Sequence, residues 1–299
     1  MPHNCLDNGG RVIVRPDVSD KTLNPGRKNM RKELTPEQKA KPYSKYYYLE
    51  EAPVPTQLTA EMNKSPMDPN KAIPVDKADD LFIPGYNECE TGYCLMPDGT
   101  GYVSALIDMP NVTAEMIEWY FAWFALDDLR YMIWDPSNHH AAKLERDSYS
   151  RRLDYRLGDL KRRWKTAFVA TEDIGAGSIP LRISFLSPED FGHDMRKFVH
   201  PNATVNNINI EINTPRVGLA TVSHVYRKTN KGLELRARFW LGWNAINGEK
   251  VLVNNKIQLP QAKGLAYHCL AEYTNLAAIL PQLYKENHET LDRIENFSW

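Results

Sequence analysis

The sequence predicts an α+β fold: a curved antiparallel sheet gripping a long C-terminal helix, preceded by an N-terminal extension. Three observations lead there. Strand-like segments succeed one another through the middle of the chain, several of them linked by short turns that contain Gly or Asn. One long amphipathic run, "LAYHCLAEYTNLAAIL" (265–280), lies near the end and holds neither Pro nor Gly. Residues 1–80 are polar and carry 10 of the 20 prolines, so they cannot form a core of their own.

Residues 1–75 therefore read as an arm or small subdomain that wraps the main domain or a partner in a homodimer. Tyr46, Tyr47 and Tyr48 favour docking, because three adjacent aromatics are seldom all left in water. The pattern changes at about residue 76, where the main domain, 76–299, begins. "TGYCLMPDGTGYVSALIDM" reads as strand, tight turn at Pro97-Asp98-Gly99, and strand. "TAEMIEWYFAWFALDDL" follows as a helix with Thr113 as its N-cap. "WKTAFVATEDIG" and "IPLRISFLSP" are strands linked through Gly175 and Gly177. "TVNNINIEIN", "VGLATVSHVYRKTN" and "LELRARFWLGW" are three more, alternating or β-branched. The chain closes on a helix from about Pro260 to Glu286.

Bulk composition narrows the function classes. The chain has 299 residues, 42% hydrophobic and 25% charged, as a globular protein has. A formal net charge of −1 gives no electrostatic reason for a nucleic-acid or anionic-membrane partner. No run of 18 apolar residues and no apolar signal core appear, and the four cysteines are irregularly spaced. A cytoplasmic protein with reduced thiols is the expectation. Gly-x-Ser-x-Gly, phosphate-loop and dinucleotide motifs are absent.

The closing helix poses the chemical question. Leu265, Leu276, Ile279 and Leu283 share one stripe, with Glu272 in its middle and His268 at its edge. A carboxylate on a core face needs a partner or a metal, and residues four apart can grip one ion. The plainer reading is a His–Glu hydrogen bond or a solvated polar seam. Other candidates are His139 and His140 in a loop after a Pro-containing turn, Tyr131 eight residues before His139, and Glu172 at a strand end. Val222, His224 and Tyr226 share one strand face, and alternation alone leaves open whether it points inward. Two His and two carboxylates suit Zn²⁺, and two negative charges balance the dication.

"ETGYCLMPDGTGYVSALIDMPNVTAEMIEWYFAWFALDDLRYMIWDPSNHH", "TEDIG" and "AYHCLAEYTNLAAILPQLY" together resemble the 2,4-diacetylphloroglucinol hydrolase and phloretin hydrolase family over roughly residues 76–290. The resemblance implies a Bet v 1-like catalytic domain, bound zinc, and cleavage of the carbon–carbon bond between an acyl group and a phloroglucinol ring. It places the metal ligands on His139, Glu172, His268 and Glu272, with His140 as the alternative to His139. It places substrate contacts at Tyr131 and His224, and Phe239 where the family has a Tyr. The implied substrate is a small aromatic acyl-phenol, cut in a retro-Claisen hydrolysis. A polyketide cyclase or lyase on the same scaffold and a non-catalytic carrier of aromatic ligands are the competing readings. Fold alone does not decide among them.

Overall fold

The computed structural model describes residues 31–292 apart from 176, 214 and 215. The first 30 residues of the expected extension thus lie outside the described residues. The strands are β1 (Gly92–Leu95), β2 (Gly101–Pro110), β3 (His139–Leu144), β4 (Thr166–Asp173), β5 (Ser178–Leu186), β6 (Asn202–Asn213), β7 (Arg216–Thr229), β8 (Gly232–Leu241), β9 (Trp243–Ile246) and β10 (Glu249–Leu252). Eight of them form one antiparallel sheet in the order β1-β2-β8-β7-β6-β5-β4-β3. All but one of its pairings join sequence neighbours. The exception is β2 with β8, in register from Gly101↔Leu241 to Pro110↔Gly232.

Local chemistry accounts for the elements. Gly99, at φ 85°, closes the β1–β2 turn and donates its N–H to the Met96 carbonyl. Thr113 caps the helix Ala114–Trp123 by accepting from the Met116 N–H. That helix ends earlier than the sequence predicts. It tightens into a 3-10 turn at Phe124–Leu126, and Asp127 caps a fresh short helix, Asp128–Met132. β9 and β10, not anticipated, form a separate hairpin around Asn247-Gly248, both at positive φ. The C-terminal helix runs Leu259–Asn287. Its predicted core stripe of Leu265, Leu276, Ile279 and Leu283 is buried.

Both faces of the sheet are covered. Phe168, Ala170, Leu181, Ile183, Val222, Leu235 and Phe239 point to the face that packs with the C-terminal helix and the Phe121–Trp134 region. Tyr102, Val205, Val225 and Trp240 point the other way, under Ile73, Val75, Ala78, Leu81 and Phe82. The segment Val75–Phe82 is a 3-10 helical stretch, and Trp240 Nε1 donates to the Ile73 carbonyl at 2.7 Å. Farther back, Tyr46 and Tyr47 are buried while Tyr48 is 58% exposed. Tyr46 donates to Glu286 at 2.9 Å, and Lys45 pairs with the same carboxylate. Two of the three adjacent tyrosines thus dock on their own chain.

One backbone contact sets the height of the helix over the sheet. After β4, Gly175 at φ 98° passes so close to the helix that a Cβ on it would lie 2.8 Å from the Gly264 Cα. A Cβ on Gly264 would lie 2.3 Å from the Ile174 carbonyl oxygen. Neither position has room for a side chain.

The covered back face also holds charge. Glu90 accepts from Arg236 and Arg238, both nearly fully buried. Burial opposes ionisation of Glu90, but the two guanidinium groups hold its carboxyl down at about 2. Removing this carboxylate strands two buried cations, so Glu90→Ala is expected to cost about 3 kcal/mol in urea unfolding near pH 7. Because the folded-state value lies below the ordinary 4.5, the wild-type advantage is complete above 4.5 and fades as pH falls towards 2. Unfolding curves of the two proteins over that range measure the convergence.

Candidate active site and metal centre

Four titratable side chains from three elements converge between sheet and helix. β3 is an edge strand, and the Pro136-Ser137-Asn138 turn before it had hidden it as a loop in the sequence. His139 opens β3 and pairs directly across from Glu172 on β4. Cross-strand partners share a face, so both side chains point at the helix. A bulge separates His139 from Ala141 and falls on His140, which is half-buried while His139 is completely buried. From the helix, His268 and Glu272 point back, one turn apart.

The distances are those of a cage. His139 Nε2 lies 3.2 Å from Glu172 Oε2, 3.7 Å from Glu272 Oε2 and 3.4 Å from His268 Nε2. His268 Nε2 lies 3.6 Å from Glu172 Oε2 and 3.9 Å from Glu272 Oε2. A tetrahedral ion with bonds of roughly 2.0–2.1 Å separates its ligand atoms by roughly 3.3–3.4 Å. Asp135, His139 and His268 also form a buried group able to hold a metal ion, their ligand atoms all within 4.8 Å of one another. The donor set is nitrogen and oxygen, and its orientation is fixed from behind. His139 Nδ1 donates to the Tyr131 carbonyl at 3.2 Å, which leaves the Nε2 lone pair facing the cage. His268 Nδ1 has no hydrogen-bond partner, and Asp135 Oδ2 sits 3.7 Å from it.

Electrostatically the cage calls for positive charge. Burial would raise Glu172, but His139 and His268 hold its carboxyl well below the usual carboxylate range. Burial opposes a charge on His268, yet Glu272, Glu172 and Asp135 push its imidazole up to about 10. Burial pushes Glu272 well above the carboxylate range, against the attraction of His268. A cation held here would displace protons and balance both carboxylates.

Beside the cage is a small cavity, partly open to solvent. Its walls are largely apolar, with Phe124, Phe168, Leu181, Ile183 and Leu219 among them, and Glu172, His268 and Glu272 line it too. Tyr131 is fully buried, stacks on His139 at 4.0 Å and donates to Glu172 Oε2. His224 and Phe239 also line the cavity, so the Val222–His224–Tyr226 face of β7 points inward. Burial pushes the His224 imidazole down to about 3, so it is neutral at pH 7.

A family model, the DAPG hydrolase PhiG domain, matches residues 73–285. The chain belongs to the DAPG hydrolase family. It is 32% identical to the phloretin hydrolase of Eubacterium ramulus over 265 residues, which are 85% of this chain and 93% of that one. It is 26% identical over 262 residues to the 2,4-diacetylphloroglucinol hydrolase of Pseudomonas protegens, covering 82% of this chain and 84% of that one. Family membership makes the chain a hydrolase. No helix among its described residues is long and apolar enough to cross a membrane.

Three buried groups in this family member escaped the sequence reading. Asp135 stands four residues before His139, a spacing that was there to be noticed. Tyr273, next to Glu272, holds His224 Nδ1 at 2.8 Å, and Asn206 lies opposite His224 across β6 and β7. Neither carries a local signal, since each is placed by tertiary packing. The unequal burial of the paired histidines gives a direct test. His139→Ala is expected to lower metal affinity at least about tenfold, while His140→Ala stays within about twofold of wild type. Metal titration by calorimetry reads both, and equal losses would remove the distinction.

Proposed function

We propose that this family member is a zinc-dependent hydrolase cutting the carbon–carbon bond between an acyl group and a phloroglucinol ring. Residues 76–299, on a Bet v 1-like frame, form its catalytic domain, with the preceding segment as a wrapping arm. The observation that carries the reading is the His139–Glu172–His268–Glu272 cage set in the wall of an apolar cavity. The names of the relatives, phloretin hydrolase and 2,4-diacetylphloroglucinol hydrolase, supply the substrate class. Nitrogen and oxygen donors, near-tetrahedral spacing and two balancing carboxylates favour zinc. The free thiols of Cys89, Cys94 and Cys269 support a cytoplasmic setting.

The overall change is ketone plus water to carboxylic acid plus phenol. An aryl carbanion is a poor leaving group, so the ring first takes a proton at its acyl-bearing carbon and becomes a β-diketone. Hydroxide then adds to the acyl carbon, the carbon–carbon bond breaks to leave the carboxylic acid, and the ring departs as an enolate that takes a proton on oxygen and returns to the phenol. When bound, zinc supplies a Lewis acid for the acyl oxygen and lowers the pKa of water towards about 7. The protein side chains do the rest. Phe124, Phe168 and Trp134 line the cavity and exclude bulk water. Tyr131 fixes Glu172 through its hydroxyl. A neutral imidazole donates from one ring nitrogen and accepts at the other, so His224 can pass a proton without storing one. A passive carrier of aromatic ligands has no use for such a cage.

Elemental analysis of the purified protein is expected to give about one zinc per chain. Glu272→Ala is expected to abolish both metal retention and hydrolysis of phloretin and 2,4-diacetylphloroglucinol. An active, metal-free wild type would overturn the reading. His224→Ala is expected to keep its zinc and lose about 10²–10⁴-fold in kcat, the range of general acid–base help. Steady-state kinetics on the zinc-loaded variant check this, and a rate within a few-fold of wild type would pass the proton-transfer role to Tyr131.

A further inference from the structure

Two arginines stand behind one wall of the cavity without a counter-charge of their own. Arg152 and Arg163 are 0% and 1% exposed. The Arg152 guanidinium lies 5.0 Å from the Phe185 ring, that of Arg163 lies 5.9 Å from the Phe121 ring, and both rings line the cavity. Phe121 and Phe185 meet edge-on at 6.1 Å, so the two cations back one patch of wall. Phe124 separates this patch from the cage side, 5.7 Å from Phe121 and 5.6 Å from Tyr131.

Their hydrogen bonds go to uncharged groups. Arg152 donates to Thr166 Oγ1 at 2.9 Å and to the Phe121 carbonyl, and Arg163 donates to the Val205 carbonyl at 3.1 Å. One nitrogen of each, Arg152 Nη2 and Arg163 Nη1, has no partner. Among the described residues Asp159 pairs with Arg162, and Glu118 acts on Arg163 without pairing with it. Three guanidinium groups, Arg152, Arg162 and Arg163, thus share two carboxylates. Burial pushes Arg163 down to about 10, which leaves it charged at pH 7. Burial and the charges of Arg163 and Arg162 push Arg152 well below its ordinary value. A buried cation without a counter-charge is costly, and a carbonyl asks only for a donor. The charge is felt on the cavity side of the sheet. Burial raises the Tyr226 hydroxyl and Arg163 opposes that rise, while Asn206, 3.5 Å from the same hydroxyl, lines the cavity.

We propose that Arg163, with Arg152 beside it, gives this wall a positive potential that holds a bound phenolic ring as its anion and stabilises the ring enolate as it leaves the acyl group. Neither arginine touches a reacting atom; both are positioning residues that act across the Phe121 and Phe185 rings. The other titratable groups lining the cavity do not supply this field. His224 and Tyr131 are neutral at pH 7, as is Tyr273. Glu172, His268 and Glu272 belong to the cage, whose charge a bound dication balances. Fixed charge placed where negative charge develops needs no rearrangement at the moment of reaction. The coupling is reciprocal, since an anion favoured by the cations also relieves them. A unit charge roughly 10 Å away, through an effective dielectric of about 20, moves an ionisation by about one pH unit. The inference rests on the acyl-phenol reading above and adds the groups that meet the charge of the leaving ring.

The ionisation of a bound phenol tests it without turnover. 4-Nitrophenol, whose anion absorbs visible light strongly, is titrated with pH on zinc-loaded protein, and the signal is the part that phloroglucinol displaces. On wild type its midpoint is expected about one unit or more below that in free solution. Arg163→Gln keeps a donor for the Val205 carbonyl and removes the charge, so the midpoint is expected to rise by about one unit. Arg163→Lys keeps the charge and is expected to stay close to wild type. Equal midpoints in wild type and Arg163→Gln, or a lysine variant that behaves like the glutamine one, overturn the proposal. So does a nitrophenol that wild type fails to bind. Glu118 is half-buried, which guards against a buried variant that fails to fold. Glu118→Gln removes a carboxylate that acts on Arg163 and is expected to lower the midpoint by a few tenths of a unit, and a midpoint that stays or rises overturns the proposal. Midpoints that follow these charges in a protein hydrolysing neither phloretin nor 2,4-diacetylphloroglucinol would sink the reaction and leave the charged wall standing. Hydrolysis by a protein whose midpoints ignore both residues would do the reverse.

Discussion

Glu172 and Glu272, two buried carboxylates set close together between sheet and helix, are the constraint on which the rest of the structure depends. Isolated, either would be driven to take up a proton. Together they need compensating charge, and His139 and His268 stand where it is needed. Meeting that need organises the neighbourhood. The Tyr131 carbonyl orients one histidine, Asp135 lies behind the other, and Trp134 Nε1 ties its loop to the Glu272 carbonyl at 3.0 Å. The C-terminal helix and both edge-side strands are thus committed to one polar point inside an otherwise aromatic core.

Much of this was legible in the chain itself, for identifiable reasons. His268 and Glu272 stand out because a charged pair interrupts a helical stripe whose period is unmistakable. Seven of the eight sheet strands announce themselves through alternation and turn residues. β3 did not, because it is a short, bulged edge strand behind a proline turn. The orientation of β7 was illegible for a different reason. Thr221, Ser223 and Val225 are as buried as Val222, His224 and Tyr226, so there is no solvated face to give alternation a direction. Asn206 and Tyr273 illustrate the remainder: an asparagine in a strand and a tyrosine in a helix become neighbours of His224 only once the sheet and helix are packed together.

The second covered face explains why the end of the polar, proline-rich leading segment, Ile73 to Phe82, is part of the fold. Antiparallel sheets commonly leave one side to water. Here Val75–Phe82 lies over Tyr102, Val225 and Trp240, and the arginines of β8 are neutralised by Glu90 beneath it. The sheet that carries His224 and Asn206 is therefore packed from behind as well as from the cavity side, which suits a site whose hydrogen-bond directions matter.

The contact between Gly175 and Gly264 bears on the cage directly. Gly175 lies three residues after Glu172, and Gly264 lies four residues before His268, so bare backbone touches bare backbone within about one turn of a cage residue on both elements. Side chains at such a junction would bring rotamers, and with them several spacings of nearly equal energy. Main chain against main chain has no rotamers. The gap between strand and helix is accordingly a mechanical stop with a single setting, and the spacing between Glu172 on the strand side and the His268–Glu272 pair on the helix is decided with it, with no entropy of adjustment left to spend at that end.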